Sequence, residues 1–201
     1  QRSFWLIDPY WTIIPPLIGH LYQLHPRAVS NSRSILVLVL LWVWSARLTH
    51  SYFRREEWKF GQREDWRYTK MAMDYPRLWP VLSFFAVGLA QQPMLVGITL
   101  PAYSVHFVDK SLSVVDAFAL VGCVSGLCIA GVADNQLFHY MRENERRVAT
   151  GKAKVQLLEH GVWYYSRHPN YFGEQLWWWS LAAFAILLDQ WYMIVGTAFN
   201  S

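Results

Sequence analysis

The sequence predicts an all-α fold: a polytopic bundle of transmembrane helices with about five spans in this chain and its large loops on the cytosolic side. Three observations carry that prediction. Hydrophobic residues make up 54% of the 201 positions and aromatic residues 17%, with 12 Trp, well above the usage of an ordinary soluble domain. The charged residues, only 16%, fall in clusters that leave apolar runs long enough for the roughly 20 residues a helical span needs. Those runs are interrupted in places by Pro and paired polar residues, as bent or broken membrane helices are. A single membrane-embedded domain, 1–201, is the economical organisation.

The first span is expected from about Phe4 to Leu24, with Asp8 either capping a helix that begins at Pro9 or facing the bundle as a buried polar group, the cap being favoured, and with Pro15 and Pro16 calling for a bend or close support. A second runs from about Ser34 to Phe53 and carries Arg47 near its far end. Trp58, Trp66 and Tyr68 lie among mixed charges from 54 to 68, the pattern of an interfacial amphipathic segment or a lid. The stretch Leu78–Phe107 is too long for one straight span. Gln91-Gln92-Pro93 and Pro101 predict a broken helix whose glutamines bond to neighbours at depth. The fourth span starts near Ser113 and continues beyond the membrane through Asp134, Phe138 and Arg142, which recur every four residues on one face, with His139 and Arg146 on the adjoining side. A basic, flexible loop is expected over Glu143–Glu159, and a fifth span from Pro169 to about Phe199.

Most Lys and Arg residues then fall on the side of the two large loops, against Arg27, Arg33 and Lys110 opposite, which makes the large-loop side cytosolic. Basic residues beside spans point to anionic headgroups, and no nucleic-acid partner is expected. Cys123 and Cys128 lie five apart in one apolar run, a spacing that suits neither zinc nor a disulfide, and the histidines follow no metal-ligand spacing. No cleavable signal peptide is visible, and the absence of an initial Met points to a processed or trimmed N-terminus.

The densest polar stretch is Tyr165-Ser166-Arg167-His168-Pro169-Asn170-Tyr171-Phe172-Gly173-Glu174, followed by Gln175-Leu176-Trp177-Trp178-Trp179. Pro169 fixes its own φ and pushes His168 away from the α region, so a helix begins there with Arg167 and His168 just outside its first turn. Free N–H groups, a guanidinium and an imidazole together favour an anion. The competing reading is an interfacial cluster contacting lipid headgroups. Asn170 and Glu174 share one helix face, which Trp177, Trp178 and Leu181 continue into apolar surroundings. Cations above, aromatic rings beside them and an apolar wall below suit a reaction between a soluble nucleotide and a membrane-dissolved molecule. There is no GxGxxG, no P-loop and no matched acid–base pair for Ser166.

The stretch Ser166–Glu174 with its tryptophan cluster resembles the signature of the steroid 5-alpha-reductase-like membrane proteins of the DUF1295 group. Asp8-Pro9-Tyr10-Trp11, Glu64-Asp65-Trp66-Arg67-Tyr68 and Ala133-Asp134-Asn135-Gln136 match as well, so the resemblance covers nearly the whole chain. It implies a helical membrane enzyme, expected in the endoplasmic reticulum, that holds NADPH from the cytosolic side and reduces a carbon–carbon double bond in a lipid or steroid-like substrate. Carried over by position, it implies Arg47, Asp134, Arg142, Arg167, His168, Asn170, Glu174 and Trp178 as cofactor-binding residues. Glu174 and Tyr171 become the catalytic candidates, with Tyr165 or a water held by Glu174 as other proton sources. No metal is implied.

Arg167-His168 is also shared with isoprenylcysteine methyltransferases, which use S-adenosylmethionine, so that chemistry stays open. So does a non-catalytic structural or lipid-binding subunit of a membrane complex. The Glu and Tyr that hold the substrate carbonyl in true steroid 5-alpha-reductases have no counterparts, so a 3-oxo-steroid is not implied. Relatives continue beyond the position of Ser201 through another helix and a tail, and the chain is expected to be a piece lacking them.

Overall fold

A computed structural model describes residues 5–59, 61 and 66–201. Among them every regular element is helical. The chain forms two compact units, Gln1–Ser113 with Ala182–Ser201, and Val114–Leu181.

In the first unit, α1 (Ile7–Gln23) starts two residues earlier than expected. Its N-cap is Leu6, and Asp8 lies inside the first turn, where a carboxylate complements the helix dipole without capping. Pro15 and Pro16 are buried inside α1, which continues through them. The helix leans on α2 (Ser32–Arg55), where Gly19 leaves no room for a Cβ beside Leu38 and Leu41. Asn31 caps α2 through a reciprocal box: its Oδ1 accepts from the Ser34 amide at 3.0 Å, and Ser34 Oγ accepts from the Asn31 amide at 3.0 Å. At its other end Glu57 and Trp58 take positive φ, and Trp58 N–H donates back to Phe53 O, closing a Schellman turn without glycine. Trp58 also stacks on Phe53. Glu64 and Asp65 of the acidic-aromatic motif lie outside the described residues, whereas Trp66, Arg67 and Tyr68 open α3 (Trp66–Asp74), which buries none of its side chains.

The long apolar stretch is deformed just before the Gln91-Gln92-Pro93 site of the expected break, and it runs unbroken through Pro101. A short α4 (Trp79–Leu82) leads into a π-helical segment, Ser83–Leu89, and then into α5 (Gln91–Phe107). The two glutamines do hydrogen-bond across helices: Gln91 accepts from the Trp11 indole and Gln92 from the Tyr10 hydroxyl. Gln92 Nε2 in turn donates to Gly88 O at 3.0 Å, which occupies a carbonyl at the junction of the π segment with α5.

Arg33, 2% exposed, donates from Nη1 to Lys110 O at 2.6 Å and from Nη2 to Ser111 O at 2.9 Å. A buried guanidinium is tolerable because carbonyls meet its fork. Arg33→Ala strands both, and is expected to cost about 3 kcal/mol, read as a lowered thermal midpoint of the detergent-solubilised protein.

The second unit begins with α6 (Val114–Ala149), 36 residues that extend without interruption through Asp134 and Arg142 as expected. It ends at Gly151, whose φ of 73° permits the Lys152 N–H to reach back to Arg147 O at 2.8 Å. An extended segment and a 3₁₀ turn, Gly161–Tyr164, lead to α7, which begins at Pro169 as expected and runs Pro169–Leu187.

The fifth span does not reach Phe199. Asp189 adopts φ 62°, and Gln190 N–H donates to Ala185 O, so a Schellman turn ends the helix. Lys110 Nζ covers that end, donating to Leu187 O at 2.8 Å and pairing with Asp189 at 3.1 Å. A 3₁₀ turn and α8 (Val195–Phe199) follow, with Gly196 packed directly on the backbone of Gly97.

Against the five expected spans, three stretches among the described residues are long and apolar enough to cross a bilayer: Ser32–Arg55, Trp79–Phe107 and Val114–Ala149. α1 has 17 residues and α7 has 19.

Candidate functional site

The second unit is built on one antiparallel crossing. Gly126 of α6 meets the backbone of Gly173 and Trp177, Gly173 meets Ala130, and Gly122 meets Ser180. Small residues at four-residue spacing let two helices touch at backbone distance, the arrangement favoured where lipid offers no hydrophobic drive. Cys123 Sγ donates to Trp177 O at 3.8 Å in the same seam. This register brings Asp134, one turn past Ala130, level with the first turn of α7.

Before α7 the chain returns along α6. Tyr140 donates its hydroxyl to Val155 O at 2.6 Å, and Asn144 exchanges two bonds with Val155, at 3.1 and 2.8 Å. Arg147 Nε donates to Ala153 O at 2.8 Å, and Gln136 Oε1 accepts from Val162 N–H at 3.1 Å. Gln136, Tyr140, Asn144 and Arg147 recur at helical spacing, so one polar stripe of α6 straps the segment down. The loop expected over Glu143–Glu159 is therefore helix up to Ala149 and, from Ala153, a side-chain-bonded strap. The repeat of long polar side chains at these four positions was the available signal.

Between strap, α6 and the start of α7 lies an open cleft of about 820 Å³. Arg167 and His168 line it, together with Tyr140, Trp163, Tyr165 and the carboxylate of Glu159. His168 closes the helix start: its carbonyl accepts from Phe172 N–H at 3.0 Å, its amide donates to Ser166 Oγ at 3.2 Å, and its ring stacks on Tyr171 at 5.4 Å. Asn170 follows in the first turn. Its Oδ1 is buried and has no hydrogen-bond partner among the described residues. Glu174 lies one turn deeper and is half-buried, while Tyr171 is 64% exposed.

Asn170, Tyr171 and Glu174 follow the cleft in the chain but do not line it, and the other expected site residues also sit elsewhere. Trp178 is 7% exposed and packs edge-to-face on Trp177 at 4.5 Å, inside the helix packing. Arg142 is exposed, pairs with Glu145 at 3.1 Å and lies over the Phe138 ring. Asp134, Phe138 and Arg142 fall on a stripe about half a turn around α6 from Gln136, Tyr140 and Asn144. They are not part of the cleft lining. Arg47 belongs to the first unit, half-buried on α2. Among the described residues, no group of three or more His, Cys, Asp or Glu side chains is placed to hold a metal ion.

Residues 1–200 match the family described as "Protein of unknown function (DUF1295)". The chain belongs to the DUF1295 family. An uncharacterized protein of Schizosaccharomyces pombe is 24% identical to this DUF1295 chain over 200 residues. The match takes in 92% of the chain and 58% of the yeast protein, so the chain spans less than two thirds of that relative's length. No solved structure matches the chain.

Proposed function

We propose that this protein is a membrane-bound reductase that uses NADPH to saturate a carbon–carbon double bond in a lipid or steroid-like molecule. The observation that carries the reading is the start of α7: Arg167 and His168 line an open cleft, and one turn on is a buried acceptor, Asn170 Oδ1, without a donor. A buried, unpaired oxygen costs about 1–3 kcal/mol unless something donates to it. The carboxamide of a nicotinamide is such a donor.

Bound NADPH would supply a hydride. Arg167 and His168, beside the α7 N-terminus, would balance phosphate charge. Asn170 would orient the nicotinamide half, with Asp134 level with the same turn. Glu174, half-buried one turn deeper, would hold the water that delivers the proton, and the exposed Tyr171 phenol is the other source.

The reading includes a five-span arrangement in which α1 and α7 also cross, the large loops face the cytosol, and the membrane is that of the endoplasmic reticulum. Purified from membranes, the protein is expected to carry NADPH, detected by mass spectrometry of its small molecules, and to bind added NADPH in titration. Retention of S-adenosylmethionine with no NADPH would overturn the reductase reading.

A further inference from the structure

The three residues Ser166–His168 hang between two footings, and both stand on α6. On the far side Gly173 rests on Ala130, which fixes α7. On the near side the 3₁₀ turn Gly161–Tyr164 is tied down twice: the Trp163 indole donates to Ala133 O at 3.0 Å, and Val162 N–H donates to Gln136 Oε1 at 3.1 Å. Gly161 lies flat on the Gln136 amide, with φ 62°, and a Cβ there would overlap that side chain. Ala130, Ala133 and Gln136 are within six residues on one rigid helix, a rise of about 9 Å. The separation of the footings, and so the path of Arg167 and His168 across the cleft, is set by these contacts.

We infer that Gln136 is a positioning residue for the Arg167–His168 pair, acting through Gly161 and Val162, on an inference that rests on the nucleotide reading above. Gln136 itself is absent from the cleft lining. Its amide accepts one N–H and supplies the flat surface on which only a glycine sits, which is why it acts on anion affinity without touching the anion.

The test uses the full chain in detergent with NADPH as the probe, following affinity, thermal midpoint and amide exchange over 162–168. Gln136→Met keeps the length but loses the acceptor. It is expected to weaken NADPH binding about tenfold, the loss of one hydrogen bond, and to speed exchange at Val162, Arg167 and His168, with the midpoint little changed because the Trp163 bond and the Gly173 contact remain. Gln136→Glu keeps the acceptor and is expected to restore slow exchange and most of the affinity. Gly161→Ala is expected to weaken binding as Gln136→Met does, and the double variant Gly161→Ala with Gln136→Met should bind about as weakly as either alone, because both remove the same contact.

Unchanged exchange at 162–168 in Gln136→Met, or faster exchange with unchanged affinity, would overturn the inference. If the unsubstituted protein fails to bind NADPH, the reductase reading falls, and exchange at Arg167 and His168 still decides whether Gln136 sets their path.

Discussion

Gly173→Ala is expected to lower the thermal midpoint by about 10 °C and to abolish ligand retention. A Cβ built on Gly173 would stand 2.5 Å from Ala130 N, 2.8 Å from Gly126 O and 2.9 Å from Ala130 Cβ. Two of those three atoms are helix backbone, so no side chain can rotate away, and α7 must lift off α6. Overpacking of this kind costs about 3 kcal/mol, which for a chain of this size corresponds to several degrees per kcal/mol at most. The shift also carries Asn170 and Glu174 away from their places in the first turns. Gly88 is the control: a Cβ there meets only Ser83 O, at 3.7 Å. Gly88→Ala should leave the midpoint within about 2 °C, the range of a substitution that disturbs no packing. Equal effects of the two substitutions would show that the α6–α7 seam is not held at backbone distance.

Asn170→Ala and Glu174→Gln are each expected to reduce NADPH oxidation in the presence of an α,β-unsaturated lipid ketone by about 100-fold, within the 10²–10⁴ range of general acid–base effects. They should differ in how. Asn170→Ala removes the buried acceptor that awaits a donor, so NADPH affinity falls with turnover. Glu174→Gln keeps the shape but exchanges one acceptor oxygen for a donor and loses the charge, so turnover falls while NADPH binding stays within about threefold. Because Asn170 Oδ1 has no donor among the described residues, Asn170→Ala is also expected to leave folding stability nearly unchanged or slightly higher. A marked loss of stability would mean that this amide serves packing.

The parts of this fold that were legible in the sequence are those governed by local covalent constraints. Pro169 announces its own helix start through its fixed φ, and the unbroken propensity from Val114 onward carries α6 past its apolar segment. Gln91 and Gln92 were legible for a different reason: amides inside an apolar run must find partners. The end of α7 was not legible, because Leu188 and Trp191–Phe199 continue the apolar composition. What stops the helix is a left-handed Asp189 held by Lys110, almost 80 positions away in sequence. The π-helical segment likewise leaves no trace in hydropathy.

At the site, Asn170 was singled out for its spacing to Glu174. The strap is not legible, because Asn144 and Arg147 fall in a stretch whose charges read as a basic, flexible loop and Tyr140 stands in the helix with no partner near in sequence. Arg33 was assigned to a loop charge, and its burial follows from two carbonyls that only the fold brings near.

The length of α6 gives the helix two different solvents. At 1.5 Å per residue its 36 residues measure about 54 Å, against about 30 Å of hydrocarbon. About 20 residues suffice to cross that thickness, and counted from Val114 they end near Ala133. That is where its adhesive changes. Up to Ala130 α6 holds its neighbour through Gly122, Gly126 and bare backbone, the contacts that work where water is absent. From Gln136 onward it holds its neighbour through amide, phenol and guanidinium hydrogen bonds, which need no hydrophobic drive. Detergent exchange should therefore loosen the first set, and urea, which competes for backbone hydrogen bonds, the second, so that one helix can lose its grip at either end independently.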